Sequence, residues 1–524
     1  MEQVLNVPGR PHRTHRPQEH DRLKEERHMT DAQDGPAVTL TISQDRELAV
    51  GAAESGVHGF LNVRAGGIGP AAIGAAPAAA EVIVIDCSGS MASPGSKITA
   101  AREAGTAAVL ALRDGTRFAV VAGTDRARMV YPPEGRLETA DHDTKAQAAD
   151  QIRYLYPNGG TAIGAWLRLA RRLLAADDGA PAPAADFRHL LLLTDGWNMN
   201  QPELLASELD ACRGLFVCDA RGIGDAWNAL ELKEIADRLH GTAKAVLHDA
   251  DLRAEFEEMV RASMARTLSG VALRVTPLPG SVIRFVKQVH PVEHDLTDSG
   301  RPTTGRTVEY PTPAWQDDEE RVYHVCLDAD PAGRPRHEDL QIGYAQVAVA
   351  SDRVAAPEPV PILVHWLPGD AHPTRVSAVS EHFTLYGEFG RVVADAYDAH
   401  QSGDLPAARD RLGAAVRIAH RLADAEKLRL LAEVVEIVDA ATGRVRLRQA
   451  FDRRHLGQLV MLSSRTTLLS EDRSEPPPPD GDRPEPAEPR RCPHADCTAL
   501  SPAYARFCVR CGQPMTGGPD QEQP

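Results

Sequence analysis

Two rhythms of apolar and polar positions divide this chain. Between residues 80 and 267, short apolar runs alternate with longer stretches whose apolar residues recur at helical spacing. The run Glu81 to Ile85 (EVIVI) is β-branched and stops abruptly at Asp86, and a helical stretch from Lys97 to Arg113 follows. Arg117 to Val121 and Arg128 to Tyr131 read as a strand pair, because the turn between them (GTDRA) is too short for a crossover helix. Helical stretches at 143–154 and 162–175 come next, then a second apolar run, His189 to Leu193, ending near Asp195. A helix at 202–212, a strand at 215–219, a helix at 229–239, a strand near 244–248 and a helix at 251–267 complete the series. Such alternation predicts an α/β unit: a doubly wound, mostly parallel, Rossmann-like sheet covered on both faces.

Outside that unit the period falls to two. Val38 to Ser43 (VTLTIS) and Val57 to Arg64 read as strands, and a Gly/Ala/Pro linker from Gly66 to Ala80 leads into the α/β unit. After it, VALRVTP, SVIRFVKQVHP, RVYHVCLDA, IGYAQVAVA and PVPILVHWL are five strand candidates separated by turn residues. They predict a β-sandwich or barrel that the N-terminal strands join, with the α/β unit inserted between strands of one β-domain. Val376 to Ala440 returns to helical spacing. AYDAHQSGDLPAARDRLGAAVRIAHRL resembles one tetratricopeptide-like hairpin turning at Ser402-Gly403-Asp404; a single pair is too short for a solenoid, which favours a hairpin packed on the β-domain. The expected organisation is a disordered N-terminus (1–36), strands of the β-domain (37–65), the α/β unit (80–267), a β-sandwich-like domain (270–368), a helical region (375–468), an acidic proline-rich linker (470–490) and a cysteine-bearing module (491–516).

Composition narrows the function classes. A chain of 524 residues has room for two to four domains. The formal net charge of −16 argues against a broad nucleic-acid or anionic-membrane surface. The histidine-rich start (His12, His15, His20, His28) is polar throughout and lacks the apolar core of a signal peptide, and Met29 is an alternative start. Cys87, Cys212, Cys218 and Cys326 are scattered, as in a reducing compartment, so the expected location is cytoplasmic, with no membrane span.

Candidate chemistry lies at the ends of the apolar runs. Asp86, Ser88 and Ser90 in VIVIDCSGSM, Thr161 in NGGTAIG and Asp195 in LLLLTDGW make an all-oxygen set of two carboxylates and three hydroxyls. That set suits a hard cation, Mg²⁺ or else Mn²⁺ or Ca²⁺. Mg²⁺ takes about six oxygens at roughly 2.1 Å, so one position remains for water or for a partner's carboxylate. A plain strand-to-helix turn with Ser88 or Ser90 as the cap would use the same loop but leaves Thr161 and Asp195 unexplained. The pattern D-x-S-x-S, then T, then D resembles the metal-ion-dependent adhesion site (MIDAS) of von Willebrand factor type A (VWA) domains, over roughly Ala80 to Thr267. RFAVVAGT, GGTAIGAWLRLA, LLLLTDG, DARGIG and IRFVKQVHP further resemble a family of cytoplasmic bacterial VWA proteins.

A second metal signal closes the chain. Cys492, Cys497, Cys508 and Cys511 have the spacing C-x4-C-x10-C-x2-C, two close thiolate pairs of the kind tetrahedral Zn²⁺ requires. The segment is too short for a hydrophobic core, and it looks like a zinc ribbon folded by its metal. Its expected contact is protein.

No G-x-x-x-x-G-K-[ST] phosphate loop and no G-x-S-x-G elbow occurs, and no histidine in the metal motif stands beside Ser88, so a non-enzymatic role is expected. Asp141-His142-Asp143 precedes a helix and reads as its cap; Glu203, Asp219 and Asp225 are candidates for the rim of the metal site. The VWA resemblance implies a metal-dependent protein-interaction adaptor: the five residues hold Mg²⁺, directly or through water, and a partner's Asp or Glu fills the open position. The bacterial family implies a scaffold in a Ser/Thr phosphosignalling assembly, with a kinase, a protein phosphatase or an FHA protein as partner. The alternative is a VWA client-delivery subunit of an AAA+ ATPase chaperone of the MoxR or chelatase kind. Secreted adhesion fits least, given the N-terminus and the cysteines.

Overall fold

The computed structural model describes residues 35–49, 56–74, 77–175, 185–198, 202–332, 334–335, 338–367, 377–448, 453–469, 490–492 and 500–501. In chain order the first strands are β1 (Ala37–Asp45), β2 (Glu47–Ala49) and β3 (Gly56–Gly66). A single helical turn, α1 (Pro70–Ile73), leads to β4 (Ala79–Asp86), and α2 (Ser96–Ala111), β5 (Arg117–Gly123), β6 (Ala127–Tyr131) and β7 (Glu138–Thr139) follow. Then come α3 (His142–Arg153), α4 (Ile163–Ala175), β8 (Phe187–Thr194), α5 (Pro202–Cys212), β9 (Val217–Ile223), α6 (Ala229–Arg238), β10 (Ala243–Val246) and α7 (Leu252–Met264).

This segment forms one sheet in the order β10-β9-β8-β4-β5-β6, with β7 paired to β5. All its neighbours are parallel except the short edge strands β6 and β7. The central strand β4 is buried along its whole length. Val82 and Val84 point into one hydrophobic layer and Ile83 and Ile85 into the other, as the strand's period of two requires. Each such side chain contributes about 1.5–3 kcal/mol on full burial, which is why the four-residue apolar run Val82 to Ile85 can specify a sheet centre. Asp141 caps α3 in a reciprocal pair with Thr144. The strand expected at 215–219 sits at 217–223: the small and polar DARGI segment continues it between β8 and β10, where ladder pairing outweighs weak local propensity.

The remaining strands are β11 (Val271–Pro277), β12 (Ser281–His290), β13 (His294–Asp295), β14 (Arg301–Pro302), β15 (Val308–Pro311), β16 (Glu320–Ala329), β17 (Asp339–Val349) and β18 (Val360–Leu367). They make two sheets, β1-β3-β16-β12-β13 and β14-β15-β11-β17-β18-β2. A shared core of Leu61, Val275, Val325, Leu327, Val347 and Trp366 lies between them. Because β3 pairs with β16 from Gly56↔Asp328 to Arg64↔Glu320, the α/β segment is looped out between β3 and β11 of this sandwich.

The C-terminal part holds α8 (Ala378–Gln401), α9 (Leu405–Leu422) and α10 (Ala425–Val434), then a hairpin of β19 (Val435–Asp439) and β20 (Arg444–Leu447), then α11 (Arg453–Met461). The hairpin corrects the expectation of helix throughout 375–468. Val435, Ile437 and the alternating Arg444-Val445-Arg446-Leu447 pair across a Gly443 turn at φ +72°, and β-branched alternation wins over the Ala/Leu-rich stretch before it. Gly403 at φ +81° turns α8 into α9, and the Asp404 side chain caps α9. Phe383 of α8 stacks on Phe60 of β3, ring centroids 5.7 Å apart, so the helical hairpin rests on the sandwich.

Of the four cysteines expected to hold zinc, only Cys492 is described; it is buried beside the short ladder β21 (Arg490–Arg491) with β22 (Leu500–Ser501). Cys497, Cys508 and Cys511 lie outside the described residues, as do residues 1–34 and the linker from 470 to 489. Among the described residues no helix is long and apolar enough to cross a membrane.

Candidate metal centre

Asp86 ends β4 and Asp195 follows β8, so two adjacent parallel strands deliver both carboxylates to the carboxyl edge of the sheet. Asp86 is wholly buried. Its Oδ1 accepts from the Ser88 N–H at 2.7 Å; its Oδ2 accepts from the Thr194 hydroxyl at 2.6 Å and the Asp195 N–H at 3.3 Å. Asp195 Oδ1 accepts from the Ser90 hydroxyl at 2.6 Å, and the Ser88 and Ser90 hydroxyls are 2.9 Å apart. Thr161 is buried, and a Cβ on Gly196 would stand 2.9 Å from the Thr161 hydroxyl and 3.5 Å from that of Ser90. All five oxygen-bearing side chains singled out in the sequence are therefore brought to one place.

Backbone bonds fix the loops. The Gly89 N–H donates to the Gly159 carbonyl (2.9 Å), and the Asn158 N–H donates to the Cys87 carbonyl (2.7 Å), lacing the Thr161 loop to the first loop. Gly159 sits at φ +76°, and a Cβ there would meet Asp125 Oδ1 at 2.6 Å, so this turn requires glycine. Asn198 Oδ1 accepts the Ile163 N–H at 3.0 Å and ties the same loop to the Asp195 loop. Gly89 and Ser90 are exposed, so the cluster opens to solvent; Tyr156 and Trp197, on the flanking loops, are exposed as well.

Burial pushes the Asp86 carboxyl up to about 6, against the bonds from Thr194 and Ser88, and the neighbouring Asp195 adds to the rise. Two buried carboxylates and three hydroxyls form a donor set that gains from a hard divalent cation and fits one. Among the described residues no cluster of three or more His, Cys, Asp or Glu ligands occurs, so hydroxyls are needed to complete this site. Cys87 is buried with its thiol pushed up to about 12 by burial and Asp86, which leaves it inert.

Sequence reasoning passed over Lys97. Its ammonium donates to Asp195 Oδ2 at 2.9 Å, with only 8 % of the side chain exposed. Gly224, at φ +74°, leaves the space: a Cβ there would come within 2.7 Å of Lys97 Cε. The signal was present, because Lys97 falls in register with Ala101, Ala104 and Ala108 on the buried stripe of α2. Asp219 is not at the rim. It lies on β9, bonded to His189 Nε2 (3.0 Å) and to the Thr242 N–H (2.6 Å).

Residues 80–245 match the family model described as von Willebrand factor type A domain. The chain is similar to the structure of von Willebrand factor type A from Catenulispora acidiphila. Identity is 35 % over 83 % of this chain and 98 % of that one, with a TM-score of 0.72. The chain belongs to the von Willebrand factor type A family.

Two further similarities are weaker. The ArnB paralog VWA2 from Sulfolobus acidocaldarius is 13 % identical, covers 82 % of this chain and 98 % of its own, and has a TM-score of 0.49. Proximal thread matrix protein 1 from the mussel byssus, in a form with a zinc-occupied MIDAS motif, is 25 % identical over 36 % of this VWA protein and 46 % of its own chain, with a TM-score of 0.30. A comparison with curated proteins gave no match. The VWA family often mediates metal-dependent protein interactions.

Proposed function

We propose that this protein is a non-enzymatic adaptor that holds a divalent cation, Mg²⁺ by donor chemistry, through Asp86, Ser88, Ser90, Thr161 and Asp195. A carboxylate from a protein partner would enter the remaining position. The observation that carries this reading is the convergence of five oxygen-bearing side chains from three loops at one solvent-open edge of the sheet. When bound, the cation supplies a poorly neutralised positive charge. The chain's own residues orient it through the laced loops, and the buried surroundings weaken competition from water. Tyr156 and Trp197 flank the opening and offer apolar contact to residues beside the partner's Asp or Glu.

A cytoplasmic place in a bacterial Ser/Thr phosphosignalling assembly, and protein contact through a zinc ribbon at Cys492, Cys497, Cys508 and Cys511, belong to the same proposal. They rest on the resemblance of the quoted segments and on the cysteine spacing. The test is affinity capture from native lysate with wild type and Asp86→Ala side by side, in Mg²⁺ and in EDTA. Loss of a kinase, phosphatase or FHA protein from the variant supports the adaptor and its metal bridge. Capture of an AAA+ ATPase instead favours the chaperone-subunit alternative, and capture indifferent to Asp86 overturns the metal bridge.

A further inference from the structure

A second polar site lies where the α/β unit meets the sandwich. A cavity of about 310 Å³ is walled by β9, the start of β10 and α7 on one side, and by β12, β13 and the start of β16 on the other. That volume is room for roughly ten waters, at the lower end of small-molecule sites.

Its charges do not cancel locally. Arg321 is paired with Glu319 at 2.7 Å. Glu255 is shared by Lys244 and Arg221, the latter at 3.6 Å. Arg266 donates to the Ala314 carbonyl at 2.6 Å and forms no ion pair among the described residues. The Arg465 guanidinium forms neither an ion pair nor a hydrogen bond among them. Asp219 is tied to His189 and Thr242, and the remaining carboxylate, Glu258, is exposed.

The walls also hold polar atoms without partners. Arg221 and His294 are each 5 % exposed, yet Arg221 Nε, His294 Nδ1 and His240 Nδ1 have no hydrogen-bond partner. Arg221 Nε still faces Glu255 Oε2 at 3.6 Å, but the two imidazole nitrogens, one on each wall, are left unpaired at a cost of about 1–3 kcal/mol each and call for a ligand or ordered water. His240 holds φ +56°, an unusual backbone for this side chain, and its ring meets that of His294 edge-on at 5.6 Å. Burial and nearby cations keep both imidazoles neutral (about 4 for His240, about 3 for His294), so each ring carries one N–H to donate.

We propose that this cavity binds a small, multiply charged organic oxyanion, a phosphomonoester or a polycarboxylate, between Arg221, Arg266, Arg465 and the His240–His294 pair. Guanidinium forks match such oxyanions bidentately, and the volume exceeds what inorganic phosphate alone would fill. The site is separate from Asp86 and Asp195 and stands whether or not they hold a metal.

The test is calorimetric titration of the full chain with sodium phosphate, AMP and citrate, with sodium chloride at matched ionic strength as control. Saturable binding of AMP or citrate is expected, and which one binds identifies the source of the oxyanion. It should weaken roughly tenfold or more in Arg465→Gln and in His294→Gln. Arg465 is partly exposed and unpaired, so its variant should unfold at the wild-type temperature without ligand. No saturable binding of AMP or citrate, or binding that both variants leave unchanged, would overturn the proposal.

Discussion

Lys97 Nζ lies 2.9 Å from Asp195 Oδ2, while Ser90 donates to the other oxygen of the same carboxylate. Helix α2 thus carries an internal cation into the candidate metal centre. With Lys97 counted, the two aspartates leave one net negative charge, and a divalent ion turns the site net positive. Without it, the ion would only bring the site to neutrality. On the proposed function, Lys97 would weaken cation binding and strengthen the pull of the loaded site on an anionic partner.

Lys97→Met should raise Mg²⁺ affinity by roughly tenfold or more and at the same time reduce capture of a carboxylate-bearing partner. Calorimetric titration with Mg²⁺ alone reads the first effect and the capture assay reads the second. Equal movement of both in one direction would contradict the charge count.

Asp195→Ala removes a proposed cation ligand and also strands the Lys97 ammonium in a site with little solvent. The expected cost is about 3–5 kcal/mol in urea unfolding, the range for breaking a buried pair from one side. Lys97→Met combined with Asp195→Ala should recover most of that loss, since no buried charge is left unpaired, and the double-mutant cycle measures the coupling.

His189 bridges two strands' worth of carboxylate: Nδ1 is 2.7 Å from Glu81 Oε1 and Nε2 is 3.0 Å from Asp219 Oδ2. Burial lowers its basicity, but Glu81 and Asp219 outweigh burial and raise it from 6.5 to about 9. A folded-state value above the unfolded one stabilises fully below pH 6.5, and the contribution disappears as pH rises through about 9. Thermal unfolding of the wild type should therefore lose stability between pH 6.5 and 9 relative to His189→Gln. Parallel curves for the two proteins would show that His189 is not the group responsible.

Lys427, buried on α10, donates to the Arg465 carbonyl at 2.8 Å and to those of Leu462 and Ser463 at 3.3 and 3.4 Å. It holds the segment after α11 in place at a desolvation cost that lowers its own value to about 8. Lys427→Met keeps the aliphatic stem but leaves these carbonyls without their donor. A loss of about 3 kcal/mol is expected, with faster amide exchange across residues 462–469. Stability within about 0.5 kcal/mol of wild type would mean that water replaces the ammonium there.

The α/β unit was legible because its information is local. The central strands β4, β5 and β8 are compact apolar runs, and Asp86, Ser88, Ser90, Thr161 and Asp195 sit at or after the ends of such runs, where α/β topology collects side chains. The β19–β20 hairpin was read through because ten helical residues immediately before it share its apolar density. Strands β13, β14 and β15, of two to four residues, carry too little pattern to register at all.

The sequence alone determined which segments become parallel strands and helices and which oxygen-bearing side chains meet at their ends, because periodicity and strand-end placement are properties of neighbouring residues. Tertiary structure decided the long-range pairings. β3 pairs with β16 across more than two hundred residues, Lys97 reaches Asp195 through the space left by Gly224, and Arg221, Arg266 and Arg465 come from distant segments to wall one cavity. No periodicity encodes these pairings, since charge neutralisation and packing across an interface depend on which surfaces meet after folding.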